Sequence, residues 1–324
     1  MTPLQFEHLY ANGWAELESL LESIRGGRHR KENAVAGERV AELYRRACEH
    51  LALARARAYP AYLVERLERM TSDAHQLIYQ RGELGVARLR RLLAREFPAA
   101  VRTHHVYVWV AAMVLMLPTL ILGVLVYRRP ELVLSMVDAS SVAEFESMYA
   151  NDTESIGRTR SADTDWAMFG HYIQHNISVA FQCFAGGLLG GIGSLFYLAY
   201  NGAFIGAIAG YVTERGLGTT FYSFVATHSA FELTAAVLSG AAGMRIGHAL
   251  LAPGRYTRVQ ALVTAARESI VIIYGATIML VLAAGVEAFW SSAGSVPHWV
   301  KYTAAAISWA AVISYLSLQG RSES

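Results

Sequence analysis

From Tyr172 to Thr213 the chain runs without a single Asp, Glu, Lys or Arg. A helix needs about 20 apolar residues to cross the ~30 Å hydrocarbon core of a bilayer, so this stretch is long enough for two crossings. Val106–Tyr127, Phe221–Met244, Ser269–Phe289 and Val300–Leu318 share its character. The composition agrees: 54% of residues are apolar, 17% are charged, and the mean hydropathy is +0.28. The pattern predicts an all-α, polytopic membrane protein of about six spans. The turn inside the long uncharged run falls at Gly190–Gly193 or at Asn201-Gly202.

The first hundred residues read differently. Phe6, Tyr10, Trp14, Leu17, Leu21 and Ile24 recur at helical spacing until Gly26-Gly27. A second run carries Val40, Leu43, Tyr44, Leu51 and Leu53. A third, after Pro60, places Leu63, Leu67, Met70, Ala74, Leu77 and Ile78 inward. Arg81-Gly82 to Gly85 is the next break, before a short basic helix, ARLRRLLAREF, that rests on anionic headgroups or in solvent. The expectation is a cytoplasmic helical domain over residues 1–105 and a transmembrane domain over 106–324, with an acidic extracytoplasmic loop near 128–170. His75 reads as a packed or surface histidine. No cleavable signal peptide opens the chain, so the first span is expected to direct its own insertion. Cys48 and Cys183 lie in unlike contexts, which argues against a disulfide framework. A net charge of +2 points to no nucleic-acid partner.

Orientation follows from the basic residues beside the spans. Arg88, Arg90, Arg91, Arg95 and Arg102 precede the first span, and Arg245, Arg255, Arg258 and Arg267 flank the loop before the fifth. Six crossings put both groups in the cytoplasm with both termini. They put the acidic stretch containing Asp138, Glu144, Glu146, Asp152, Glu154, Asp163 and Asp165 outside. Membrane lipid as a partner, and a homo-oligomer among the possible assemblies, are the corresponding expectations.

Polar groups inside the spans then need an explanation, because a carboxylate at membrane depth costs roughly 2.5–3.5 kcal/mol. His228 and Glu232 are four residues apart and share a helix face, which continues through small residues to Gly240 and Gly243. His175, Asn176, Asn201 and Glu287 complete the intramembrane polar set. These groups fix helix register, or carry protons or ions, or hold a metal, with His175, His228 and Glu232 as the nitrogen and oxygen ligands. No cofactor is indicated. Gly186, Gly187, Gly190, Gly191, Gly202, Gly206, Gly240 and Gly243 are expected to serve close helix packing. No phosphate-binding loop or nucleophile motif occurs, so no catalytic residue and no enzymatic activity are assigned.

These residues together resemble the stage II sporulation protein M family. The resemblance rests on QHN at Gln174–Asn176, the glycine cluster before Leu195, YNGAFIG at Tyr200–Gly206, THSAFELTAAVLSGAAG at Thr227–Gly243, and GVEAF at Gly285–Phe289. It covers about Tyr172 to Phe289. The amino-terminal ELYRRACEHLALARAR, AHQLIY and EFPAAVR segments resemble the longer, non-sporulation members. The family usually has His-Gly before the acid; this chain has His228-Ser229. The resemblance implies a bacterial inner-membrane protein, a scaffold or partner subunit working with cell-envelope (peptidoglycan) remodelling proteins. A transporter or channel using the His/Glu pair, and a metal-dependent membrane enzyme, are the alternatives.

Overall fold

The computed structural model describes residues 1–25, 33–80, 85–150 and 162–321. The breaks at Gly26-Gly27 and Arg81-Gly82, and the acids Asp152 and Glu154, lie outside the described residues. Among these residues every regular element is a helix. The chain divides into two compact units, Met1–Leu89 and Arg90–Ser324.

The first unit contains α1 (Pro3–Arg25), α2 (Asn33–Ala56) and α3 (Ala61–Gln80). The helical spacing read from the sequence supplies its core: Phe6, Trp14, Leu17 and Leu21 from α1 meet Val40 and Leu43 from α2 and Leu63, Leu67, Met70 and Ala74 from α3. Trp14 Nε1 donates to His50 Nδ1 at 3.1 Å inside this core, so the indole brings its polar edge in with a partner. His75 pairs with the Tyr44 hydroxyl at 3.0 Å. Arg39 grips the Glu16 carboxylate through two nitrogens, at 2.7 and 2.8 Å.

The chain continues as α4 (Gly85–Arg91), a π turn, and α5 (Phe97–Thr103), and the second unit is dominated by six long helices. These are α6 (His105–Arg128), α8 (Ala162–Ala185), α9 (Ile192–Glu214), α10 (Gly218–Leu251), α11 (Arg258–Val286) and α12 (His298–Leu318); a short α7 (Ala139–Tyr149) sits between the first two. Three stretches, His105–Arg128, Ile192–Glu214 and Arg258–Ser291, are long and apolar enough to cross a membrane. On α6, Trp109, Met113, Leu117, Leu120 and Val124 stand exposed in one row. A soluble helix would turn such a row inward.

Hydrogen bonds identify the two ends of this bundle. At one end His104, before α6, lies 3.7 Å from Glu268 of α11, which accepts from Arg245 of α10 at 2.9 Å. Arg102 Nη1 donates there to the Leu316 carbonyl near the end of α12. At the other end Glu146 of α7 accepts from Tyr211 of α9 at 2.6 Å, and Tyr149 packs against Phe221 at the start of α10. Asp138 caps α7, and hydrogen bonds from the Ser140 hydroxyl, the Ser141 amide at 2.9 Å and the Ser141 hydroxyl at 2.7 Å hold its carboxyl far below the usual carboxylate range.

Glycine sets the interhelix distances. Side chains at Gly202, Gly206 and Gly210 would strike the α6 backbone at Leu115, Thr119 and Gly123. Gly187 and Gly243 meet backbone to backbone in the same way, as do Gly191 and Gly247, and Gly186 meets Gly193. Gly240 faces only the movable end of the Leu198 side chain. Gly190 and Gly191 have φ of +65° and +86°. They make the turn between α8 and α9, a conformation that disfavours any side chain, so Gly190 is a turn residue more than a packing one.

Gly206→Ala should therefore lower stability by about 1–3 kcal/mol, since backbone cannot move aside as a side chain can. Gly240→Ala should cost less. Gly170→Ala, with open space around it, should be neutral or stabilising by up to about 1 kcal/mol through helix propensity. Melting temperatures in one detergent rank the three variants. A parent-like value for Gly206→Ala refutes the close seam.

Candidate functional site

A polar cluster lies where α10 passes the end of α11, in the half of the bundle nearer α7. The 3.6-residue period puts His228 and Glu232 of α10 on one face, with His228 Nε2 3.7 Å from Glu232 Oε2. That separation is too long for a hydrogen bond. The other imidazole nitrogen, Nδ1, lies 3.1 Å from Ser291 Oγ, and Thr227 Oγ1 closes on the same hydroxyl. Phe224, one turn earlier, meets the imidazole edge to face at 5.4 Å.

Ser291 and Glu287 reach the cluster because α11 ends in a π turn, Glu287–Ser291. Such a turn inserts an extra residue per turn and is a recurrent feature of functional sites. Glu287 is turned inward and only 9% exposed. One ligand atom from each of His228, Glu232 and Glu287 lies within 4.8 Å of the other two. Asn176 of α8, 4% exposed, sits next to the Glu287 carboxylate. Even so, Asn176 Nδ2 and Glu287 Oε2 are shielded from solvent without a hydrogen-bond partner.

A cation completes the set. Lys301 of α12 is 2% exposed, and its Nζ donates to the Ser291 carbonyl at 2.7 Å. It caps a C-terminal carbonyl that the helix leaves unpaired, at the negative end of the helix dipole. Lys301, Ser291 and Thr227 are absent from the set read from the sequence. The only signal for Lys301 was a fixed charge one residue inside an apolar segment.

Glu232 is 33% accessible along its side chain although it lies deep in the bundle, because it borders a cavity of about 600 Å³. Apolar groups such as Leu115, Phe196 and Leu280 make up most of its lining, and His175, Asn176, Gln182, Tyr197 and Asn201 add polar groups beside Glu232. Asn201 returns its amide to its own helix, donating to the Tyr197 carbonyl at 2.7 Å. His175 is exposed on the cavity wall, stacks on His171 at 6.3 Å, and does not join the His228 cluster. The expected ligand trio of His175, His228 and Glu232 is thus replaced by one in which Glu287 takes the place of His175. Ser229 points elsewhere, accepting from Trp309 Nε1 at 3.3 Å.

A domain of unknown function, DUF8413, matches residues 4–80, which make up nearly all of the first unit. Neither a search of curated proteins nor one of solved structures finds a match. The family model described as stage II sporulation protein M matches residues 112–292, more than half of the chain. That stretch holds the α6–α9 seam, the cavity and every acid and histidine of the cluster; Lys301 lies beyond it. The chain belongs to the stage II sporulation protein M family.

Proposed function

We propose that this protein is a six-span membrane protein whose cavity beside Glu232 receives a cation or small polar solute, with Glu232, His228 and Glu287 as the coupling groups. The observation that carries this reading is the Glu232 side chain, one-third accessible, between a buried ionisable cluster and a solute-sized cavity. Carboxylates and histidines at membrane depth are costly, and they persist where they bind or move charge. A structural pair alone would gain nothing from an opening at the acid.

The topology that goes with this reading places α6 and α8–α12 across the bilayer. The bundle end bearing Arg102, Arg245 and Arg267 then faces the cytoplasm, with both termini and the amino-terminal unit. The end bearing α7 lies outside. The arginine asymmetry supports this, as does the clustering of the α6 start, α10 end, α11 start and α12 end. An inner-membrane scaffold for envelope remodelling is the second reading, and family membership is what favours it. Co-purification of a peptidoglycan hydrolase would support that role.

Two measurements test the proposal. In proteoliposomes with a potassium-diffusion potential, entrapped pH dye should report proton uptake at least tenfold above Glu232→Gln, a variant that keeps size and hydrogen bonding. A parent protein no faster than empty vesicles removes the transport reading. For topology, Cys48→Ser supplies the background, because Cys183 is buried. A cysteine placed near Asp152 should react with an impermeant maleimide in intact cells, and one near Arg258 only after the membrane is opened. Labelling at Arg258 in intact cells contradicts six spans.

A further inference from the structure

The trio at the end of α11 has the composition and spacing of a metal site. It offers one imidazole nitrogen and two carboxylates, from His228, Glu232 and Glu287, all within 4.8 Å of one another. Metal–nitrogen and metal–oxygen bonds near 2.0–2.2 Å place neighbouring ligand atoms about 3.4 Å apart in a tetrahedron. The 3.7 Å between His228 Nε2 and Glu232 Oε2 is close to that value and beyond hydrogen-bond range. Small side-chain rotations would close the rest.

Three further observations point to a ligand. Glu287 Oε2 is shielded and makes no hydrogen bond, on a residue 9% exposed that brings a carboxylate oxygen within 4.8 Å of the other two ligand atoms. A buried acceptor left unpaired is costly, and a cation satisfies it. Second, Ser291 Oγ engages His228 Nδ1 at 3.1 Å. A metal-bound histidine shows this arrangement, its far nitrogen held by an outer partner so that the near lone pair faces the ion. Asn176 likewise stands beside Glu287 and can orient that carboxylate. Third, two carboxylates this close in a protein-lined interior repel unless positive charge or a shared proton lies between them. A divalent ion neutralises both.

The geometry points to a first-row divalent transition-metal ion, of the zinc class, bound by His228, Glu232 and Glu287 and reached through the cavity beside Glu232. The mixed nitrogen and oxygen donor set suits such ions better than magnesium or calcium, which prefer all-oxygen sites. Cys183 lies outside the trio, so no thiolate takes part. The inference rests on reading the cavity as a chamber that admits a solute, and it names the solute's class.

The test uses full-length protein in detergent, stripped with chelator and titrated with zinc chloride. One zinc per chain should bind. Glu232→Gln and Glu287→Gln should each weaken binding at least tenfold, whereas His298→Ala, an exposed histidine at the start of α12, should not. X-ray absorption on the zinc-loaded parent protein, which needs no variant to fold, should give a nitrogen/oxygen shell near about 2.0–2.1 Å with imidazole outer scattering. No binding by the parent overturns the site, leaving a shared proton between the acids. Binding unchanged in both glutamine variants, or a sulfur shell near about 2.3 Å, overturns it too. Zinc bound without Glu232-dependent proton uptake would keep the site and remove the transport reading. Uptake without zinc would do the reverse.

Discussion

At Gly202, Gly206 and Gly210 a hydrogen atom stands where other residues carry carbon, and the carbonyls of α6 come directly against α9. In the six-span reading these helices have little hydrophobic drive to associate, and close van der Waals contact of this kind carries much of the packing. The other placements in the second unit depend on it. With α9 fixed on α6, the turn at Gly190 and Gly191 returns α8 alongside, and the backbone meetings at Gly187–Gly243 and Gly191–Gly247 press α10 into the middle. α10 is thereby the helix with neighbours on most sides, and its polar face meets protein except where Glu232 borders the cavity.

The cluster follows from that placement. His228 and Glu232 cannot turn to lipid, and α11 answers with a π turn that rotates Glu287 and Ser291 toward them. α12 contributes Lys301, whose ammonium binds a carbonyl that the same turn leaves free. Charge of both signs is gathered within one helix-end neighbourhood, and only the Glu232 side opens to a cavity. The protein thus confines the accessible part of a buried ionic network to a single carboxylate.

Much of this was legible in the residues, and what was not has physical causes. Uncharged length marked the long helices, and helical spacing from Phe6 to Ala74 marked the core of the first unit. The polar positions were visible as exceptions within apolar runs; their partners were not. Spacing reveals which residues share a face of one helix, but not which neighbouring helix that face meets. Asn176 and His175 are adjacent, about 100° apart around α8, and it is Asn176 that sits beside Glu287. Lys301 looked like the edge of a span because a boundary lysine ordinarily reaches back to water. Its inward course depends on a free carbonyl at the end of α11, whose position is set by a π turn that no propensity scale announces. Gly190 and Gly191 belong to a glycine-rich run in which turn and seam residues have the same composition.

The π turn also makes the length of one short segment matter more than its composition. An α-helix advances about 100° per residue, and the π turn holds one residue more than an α turn would. Removing any single residue between Glu287 and Ser291 would let the segment relax into an ordinary α-helix. Because five π residues and four α residues sweep nearly the same total angle, the helix beyond would keep its direction and only the inward bulge of the turn would be lost. Glu287 and Ser291 would then stand three positions apart, about 60° around an ordinary helix, and their joint approach to α10 would be weakened. Here five consecutive positions inside the bundle set how far Glu287 and Ser291 reach, while Phe289 of the same turn packs outward on Trp166 and Phe169.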